Sequence, residues 1–144
     1  WKRTVTPPFM ANFDSPNREV CTVFENRTNT PLQALNLMND VTFLEASRKL
    51  AERMMEQGGS SAPARIDYGF ELLMARAPRN AERQVLLDSF QAFDAKYRAD
   101  PKAAESYLSY GEAERNKDLD SADLAAYATV ASLMFNLDET VTKE

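Results

Sequence analysis

With 144 residues, 44% of them hydrophobic and 27% charged, the chain has an ordinary globular composition and is long enough to bury a core without staples. It has no histidine and one cysteine, which exclude a histidine base or ligand, a CxxCH haem attachment, a CxxC metal site and an internal disulfide from this chain. The net charge of −5 arises in residues 100–144, which hold 4 basic and 10 acidic groups; no Lys/Arg cluster exists to neutralise phosphates, so nucleic acid is not an expected partner.

Residues 1–30 read as an irregular arm. Pro7 and Pro8 are expected to block helix, and Asn12 to Asn17 is dense in turn formers. Val20 to Phe24 reads as a short extended piece. The lone Cys21 reads as a small buried thiol. Trp1-Lys2-Arg3 is followed by Thr and Pro rather than by the apolar run of a signal peptide. No stretch approaches the ~20 apolar residues of a membrane helix.

Thr30-Pro31 then marks a helix start, with threonine as N-cap and proline at the first helical position. The predicted helix covers 31–39, with Leu32, Leu35 and Met38 as its apolar face and Leu37 beside them. Asp40 is predicted to cap a second helix over 41–57, which Gly58-Gly59 ends. Ser60 to Pro63 reads as a loop. A third helix is predicted over 64–76, ended by Pro78, and a fourth over 81–98, capped by Asn80. In the fourth, Leu86, Phe90, Phe93 and Tyr97 repeat at helical spacing. A short fifth helix starts at Asp100-Pro101 and runs to about 109. Glu112 to Asp120 reads as a charged loop. Asp120 or Ser121 caps a last helix over 122–136, which is apolar nearly all round. Such a helix belongs at the centre of a bundle.

Two sets of polar residues bear on chemistry. Asp14, Glu19 and Asp40 are carboxylates in the N-terminal region, and paired carboxylates can hydrolyse glycosides when about 5–10 Å apart. Asn29, Gln33, Asn36 and Asp40 form an amide-rich stripe on the 31–39 helix, with Arg18 and Arg27 as nearby donors. The stripe suits sugar or peptide hydroxyls. It suits equally the unpaired backbone of residues 1–30, and this structural network is the preferred reading. The Asn26-Arg27-Thr28 sequon is weak. Asp118, Asp120 and Asp123 fail the EF-hand pattern, because Asp123 stands where glycine is required and Thr129 where glutamate is required. These aspartates read as capping groups, and no metal or cofactor is expected in this chain.

Trp1-Lys2-Arg3-Thr4-Val5 with Pro7-Pro8, and the run Met10 to Cys21, resemble the planctomycete-type domain of unknown function 1553. So does Arg27-Thr28-Asn29-Thr30-Pro31-Leu32-Gln33-Ala34-Leu35, continuing to Asp40. Phe135-Asn136-Leu137-Asp138-Glu139 looks like the end of that family's block. The resemblance implies an exported, multidomain bacterial parent protein, often carrying a cytochrome c-like domain that holds haem. It also implies a family block that extends further on the N-terminal side, so that this chain is the C-terminal portion of a larger domain. No activity and no catalytic residues come with it.

The expectation is therefore an all-α fold, a bundle of five to six helices with an irregular N-terminal arm. Residues 1–144 are read as a single helical domain: arm 1–30, helices over 31–57 and 64–110, and a buried helix within 120–137. The expected role is a non-catalytic structural or interaction module that meets other domains of its parent protein, a cytochrome c-like domain among them. The alternatives are part of a carbohydrate-active or redox site completed by other domains, and a glycan-binding module.

Overall fold

The computed structural model describes residues 7–15, 28 and 30–142. Arg18, Glu19, Arg27 and Asn29, the Val20–Phe24 run with Cys21, and Asn26 of the sequon lie outside the described residues. The fold is all-α. Among the described residues, eight helices run in the order α1 (Pro8–Asn12), α2 (Pro31–Asn39), α3 (Val41–Gln57), α4 (Ala62–Met74), α5 (Asn80–Ala99), α6 (Pro101–Leu108), α7 (Ser121–Phe135) and α8 (Asp138–Val141). There is no strand among the described residues.

Helix α7 is the axis. Its apolar residues point all round, and nine of its side chains are buried: Leu124, Ala125, Ala126, Tyr127, Ala128, Val130, Ala131, Ser132 and Met134. Such a helix needs partners on every side. It has them: α3 and α5 flank it, and α2, α4, α6 and α8 also touch it. The alanines let neighbouring backbones come close, while Tyr127 fills the space beside α5 by stacking on Phe90 at 4.3 Å between ring centroids. Leu86 and Tyr97 of α5 are buried, with Phe90 and Phe93 half-buried against the same core. Tyr97 bonds Thr129 of α7 at 3.1 Å, so its hydroxyl is satisfied in the interior. On the far side α3 and α4 approach closely where Gly69 faces Met54. A Cβ on Gly69 would lie 2.6 Å from the Met54 sulfur. Only glycine allows this spacing while Met54 is fully buried.

Several boundaries differ from the sequence expectation, each for a local reason. Pro8 does not block helix but starts α1, because proline at the first position gives up no helical hydrogen bond. Ser61 accepts from the Ala64 N–H, so Ala62 and Pro63 form the first turn of α4 rather than a loop. That helix ends at Met74, with Ala75 in the left-handed region (φ 55°), before Pro78 is reached. Asn80 lies inside α5. The orphan N–H of Arg79 is taken by Glu82 at 2.7 Å, so the third residue of the helix does the capping. Asp120, not Ser121, caps α7 through the Asp123 N–H at 3.0 Å. Helix α8 was not expected. It is held by Arg76, whose guanidinium bridges Glu139 of α8 and Glu82 of α5 and lies 4.9 Å from the Phe70 ring centroid.

The Glu82 carboxyl is lowered to about 2 by the Arg76 guanidinium and the Arg79 N–H. A depressed carboxylate contributes stability that is fully present above its unfolded value of 4.5 and is lost as pH falls toward 2. Replacing Glu82 by glutamine should therefore lower the urea midpoint near neutral pH, with the gap to wild type closing across that acid window. A gap that does not depend on pH would show that this pair contributes nothing to folding.

Candidate functional site

The polar stripe of α2 begins with its cap. Thr30 Oγ1 accepts from the Gln33 N–H at 3.3 Å, and Gln33 Oε1 accepts from the Thr30 N–H at 3.0 Å. This reciprocal capping box satisfies two orphan donors of the first turn. It also turns the Gln33 side chain back toward the arm. Gln33 Nε2 donates to the Asn12 carbonyl at 2.8 Å and to Thr28 Oγ1 at 3.3 Å. Thr28 in turn gives both its N–H (2.8 Å) and its hydroxyl (2.7 Å) to Asp14 Oδ2. Those two bonds, the hydroxyl first, hold the Asp14 carboxyl below its usual range. Asp14 itself sits in the left-handed region at φ 55°, which a short polar side chain tolerates.

The result is a clasp. Asp14, Thr28 and Gln33 tie α1 and the return of the arm to the start of α2, with Gln33 only 3% exposed. Phe9 reinforces it apolarly, lying 5.2 Å from Phe13 and 5.6 Å from Phe43 of α3 between ring centroids. The other described stripe residues, Asn36 and Asp40, do not join the clasp. Asn36 faces inward one turn on, and its Nδ2 is buried without a hydrogen-bond partner among the described residues. Asp40 is the junction of two helices: its N–H closes α2 on the Asn36 carbonyl, and its Oδ1 accepts from Thr42 at 2.8 Å to cap α3. Asp14 and Asp40 therefore serve opposite ends of a nine-residue helix, roughly 13 Å of rise apart. Each is satisfied locally, and they do not form a carboxylate pair.

This geometry reverses the expected orientation of α2. Leu32, Leu35 and Met38, read as the packed face, are 54%, 59% and 49% exposed, and only Leu37 of the apolar set is buried. The inward line is Gln33 and Leu37, one turn apart. The capping box and the arm carbonyls claim Gln33, and that choice sends the leucines outward. Met10 and Val41 are also exposed, at 37% and 50%.

A second polar assembly escaped the sequence reading. Glu45, Arg48, Lys49, Glu52 and Glu56 follow one line along α3 and hold the segment 110–116, most of which falls in the stretch 112–120 that reads from sequence as a charged loop. Glu45 Oε2 accepts from the Glu112 N–H at 2.5 Å and the Ala113 N–H at 3.3 Å, and these two bonds lower its carboxyl. Arg48, buried at 3% exposure, donates to the Ala113 carbonyl at 2.6 Å. Lys49 reaches the Glu114 carbonyl, Glu52 accepts from the Asn116 N–H, and Glu56 accepts from the Asn116 amide. Gly111, at φ 98°, lets the chain turn against Glu45, where any Cβ would collide with the carboxylate. The signal was available: charges at positions 45, 48, 49, 52 and 56 share a helix face, and a glycine opens the facing segment.

One cleft of about 400 Å³ lies between α5, α6 and the start of α7, lined by Tyr97, Arg98, Glu105, Asp120 and Ser121 among others. Its charged groups have partners. Arg98 is held by Asp94 and Asp123, and Glu105 by Ser121 and Arg115. Among the described residues no group of three or more acidic or cysteine side chains is placed to hold a metal ion. No described helix is long and apolar enough to cross a membrane.

The family model described as "Protein of unknown function (DUF1553)", PSD1, matches residues 1–90. The chain belongs to this family. No curated protein and no solved structure matches it. The PSD1 segment spans the arm, its clasp, α2 to α4 and the first half of α5, but not α7, on which all of these helices pack. The clasp is thus a feature of the PSD1 portion that relies on a core completed beyond residue 90.

If the clasp is structural, its loss should appear as lost stability. Gln33→Ala removes the buried amide that bonds Thr30, Asn12 and Thr28, and should cost about 1–3 kcal/mol, the range for stranded buried polar partners. Urea unfolding measures this directly; a change below about 0.5 kcal/mol, the range of ordinary surface substitutions, would deny the clasp its role.

Proposed function

We propose that this chain is a non-catalytic structural and interaction module of an exported, planctomycete-type multidomain protein. Its partners are the other domains of that protein, a cytochrome c-like domain among them. The carrying observation is the inversion of α2: the polar side chain best suited to a ligand, Gln33, is consumed by the arm, while Leu32, Leu35 and Met38 face outward. Exposed apolar side chains such as Leu32, Leu35 and Met38, brought out on one short helix, fit a protein-facing surface better than a sugar-facing one. The carboxylates Asp14 and Asp40 serve a turn and a cap rather than a shared pocket.

The test uses the parent protein's remaining domains, added in trans to this chain. Leu35→Glu should weaken that association by roughly tenfold or more, as for a central apolar contact, and leave the unfolding free energy of the isolated chain unchanged within about 0.5 kcal/mol. Association unaffected by Leu35→Glu would overturn the reading, as would glycan-array binding that Gln33→Ala weakens.

A further inference from the structure

Charged side chains of α3 hold the segment 110–116 mainly by its backbone. Glu45 takes the Glu112 and Ala113 N–H groups on a single carboxylate oxygen. Two successive N–H groups converging on one anion form a nest. Arg48 donates to the Tyr110 carbonyl at 3.4 Å and to the Ala113 carbonyl at 2.6 Å. Lys49 donates to the Glu114 carbonyl at 2.6 Å, and Glu52 accepts from the Asn116 N–H at 3.2 Å. Glu56 holds a side chain, the Asn116 amide, at 2.9 Å. Arg115 adds a tie to Glu105 of α6 at 2.8 Å.

Apolar packing has no part in this attachment. No side chain from 109 to 118 belongs to the apolar core or packs against it, and Leu119 is the first that does. Closure also carries a cost. Arg48 and Glu52 are only 3% and 7% exposed. Yet Arg48 Nε is buried without a partner, and Nη1 stands 4.0 Å from Glu52. Water would satisfy these groups once the segment lifts. The segment therefore hangs on bonds that solvent can replace, while α6 and α7 on either side of it bury apolar residues in the core.

We propose that 110–116 is a charge-latched strap, which lifts from α3 and recloses as one unit while the helical core stays folded, with Glu45 as its catch. Gly111, at φ 98°, stands at one end of the strap, and the packed Leu119 fixes the chain beyond the other. Lifting turns a covered face of α3 into an open row of five charges, Glu45, Arg48, Lys49, Glu52 and Glu56. The strap thus changes what that face offers to a partner without disturbing the apolar core.

Native-state amide exchange of the intact chain, followed in urea below its unfolding midpoint, tests it. Urea dependence scales with the surface exposed, and lifting exposes little. The Glu112, Ala113 and Asn116 amides should therefore be protected, but through a smaller opening free energy and with a much shallower urea dependence than the Val130 and Ala131 amides of α7. Glu45→Ala should accelerate exchange at all three by roughly tenfold or more, the scale of lost charge-assisted bonds. That includes Asn116, whose N–H bonds Glu52 and not Glu45. Exchange at the three amides with the urea slope of α7 would overturn the proposal, because the strap would then open only when the chain unfolds. Absence of protection at the three would overturn it, since the strap would not be closed. An acceleration confined to Glu112 and Ala113, or none, would also overturn it, because the bonds would then break singly or without Glu45. Should Glu45→Ala fail to fold, the wild-type urea series decides alone.

Discussion

Tyr127→Ala is expected to destabilise the chain by about 3–5 kcal/mol, the range for removing a large buried aromatic side chain. Tyr127 is 1% exposed, stacks on Phe90 and lies under Arg65, so its loss leaves a cavity where α4, α5 and α7 meet. A stability of about 5–15 kcal/mol is all that most domains possess. The substitution should therefore consume a large part of the total, read as a drop in urea midpoint with an unchanged slope. The same reasoning makes residues 1–90 insufficient alone, since a chain ending there lacks α7. That fragment should show no cooperative unfolding transition. A cooperative transition in the fragment, or a Tyr127→Ala cost below about 1 kcal/mol, would contradict the placement of α7 as the axis.

Arg48→Met is expected to cost about 2–3 kcal/mol, the scale of charge-assisted hydrogen bonds lost in a buried setting. Methionine keeps the apolar stem but gives no donor to the Ala113 carbonyl. It also strips a neighbouring cation from Glu52, which is itself 7% exposed and retains Lys49 and the Asn116 N–H. The effect should be local as well as global. Amide exchange at Glu112 and Ala113, whose N–H groups bond Glu45, should accelerate as the segment loosens, while α5 amides keep their protection. Unchanged exchange at those two residues would show that the segment is anchored without Arg48.

The helical architecture was legible in the sequence because it depends on local signals. Thr30-Pro31, Asp40 and Asp120 cap the helices as their chemistry dictates. The all-round apolar pattern of 122–136 placed a central helix that the structure contains as α7. What periodicity left ambiguous was direction. On α2 the apolar residues outnumber the amides, so hydrophobicity alone turns Leu32, Leu35 and Met38 inward. The structure turns Gln33 inward instead, because backbone donors and acceptors of the arm need partners, and that demand is set by residues distant in sequence. The Glu45–Glu56 line was hidden for a similar reason. Charges on a helix face normally read as solvated, and only the return of the chain at 110–116 gives them backbone groups to hold. The extra helix α8 depends on Arg76, more than sixty positions upstream of Glu139.

For the candidate site, Asp14 and Gln33 do come together as a network, while Asn36 and Asp40 take separate places. The central claim is that Gln33 of the polar stripe is held in a structural clasp and does not line an open binding surface. It rests on the bond from Gln33 Nε2 to the Asn12 carbonyl at 2.8 Å. The side-chain amide protons of Gln33, followed by NMR in the free chain, test it most directly. They should be shifted from random-coil positions and exchange slowly with solvent. Rapid exchange at random-coil shifts would mean that the amide is free for a ligand, and would contradict the account.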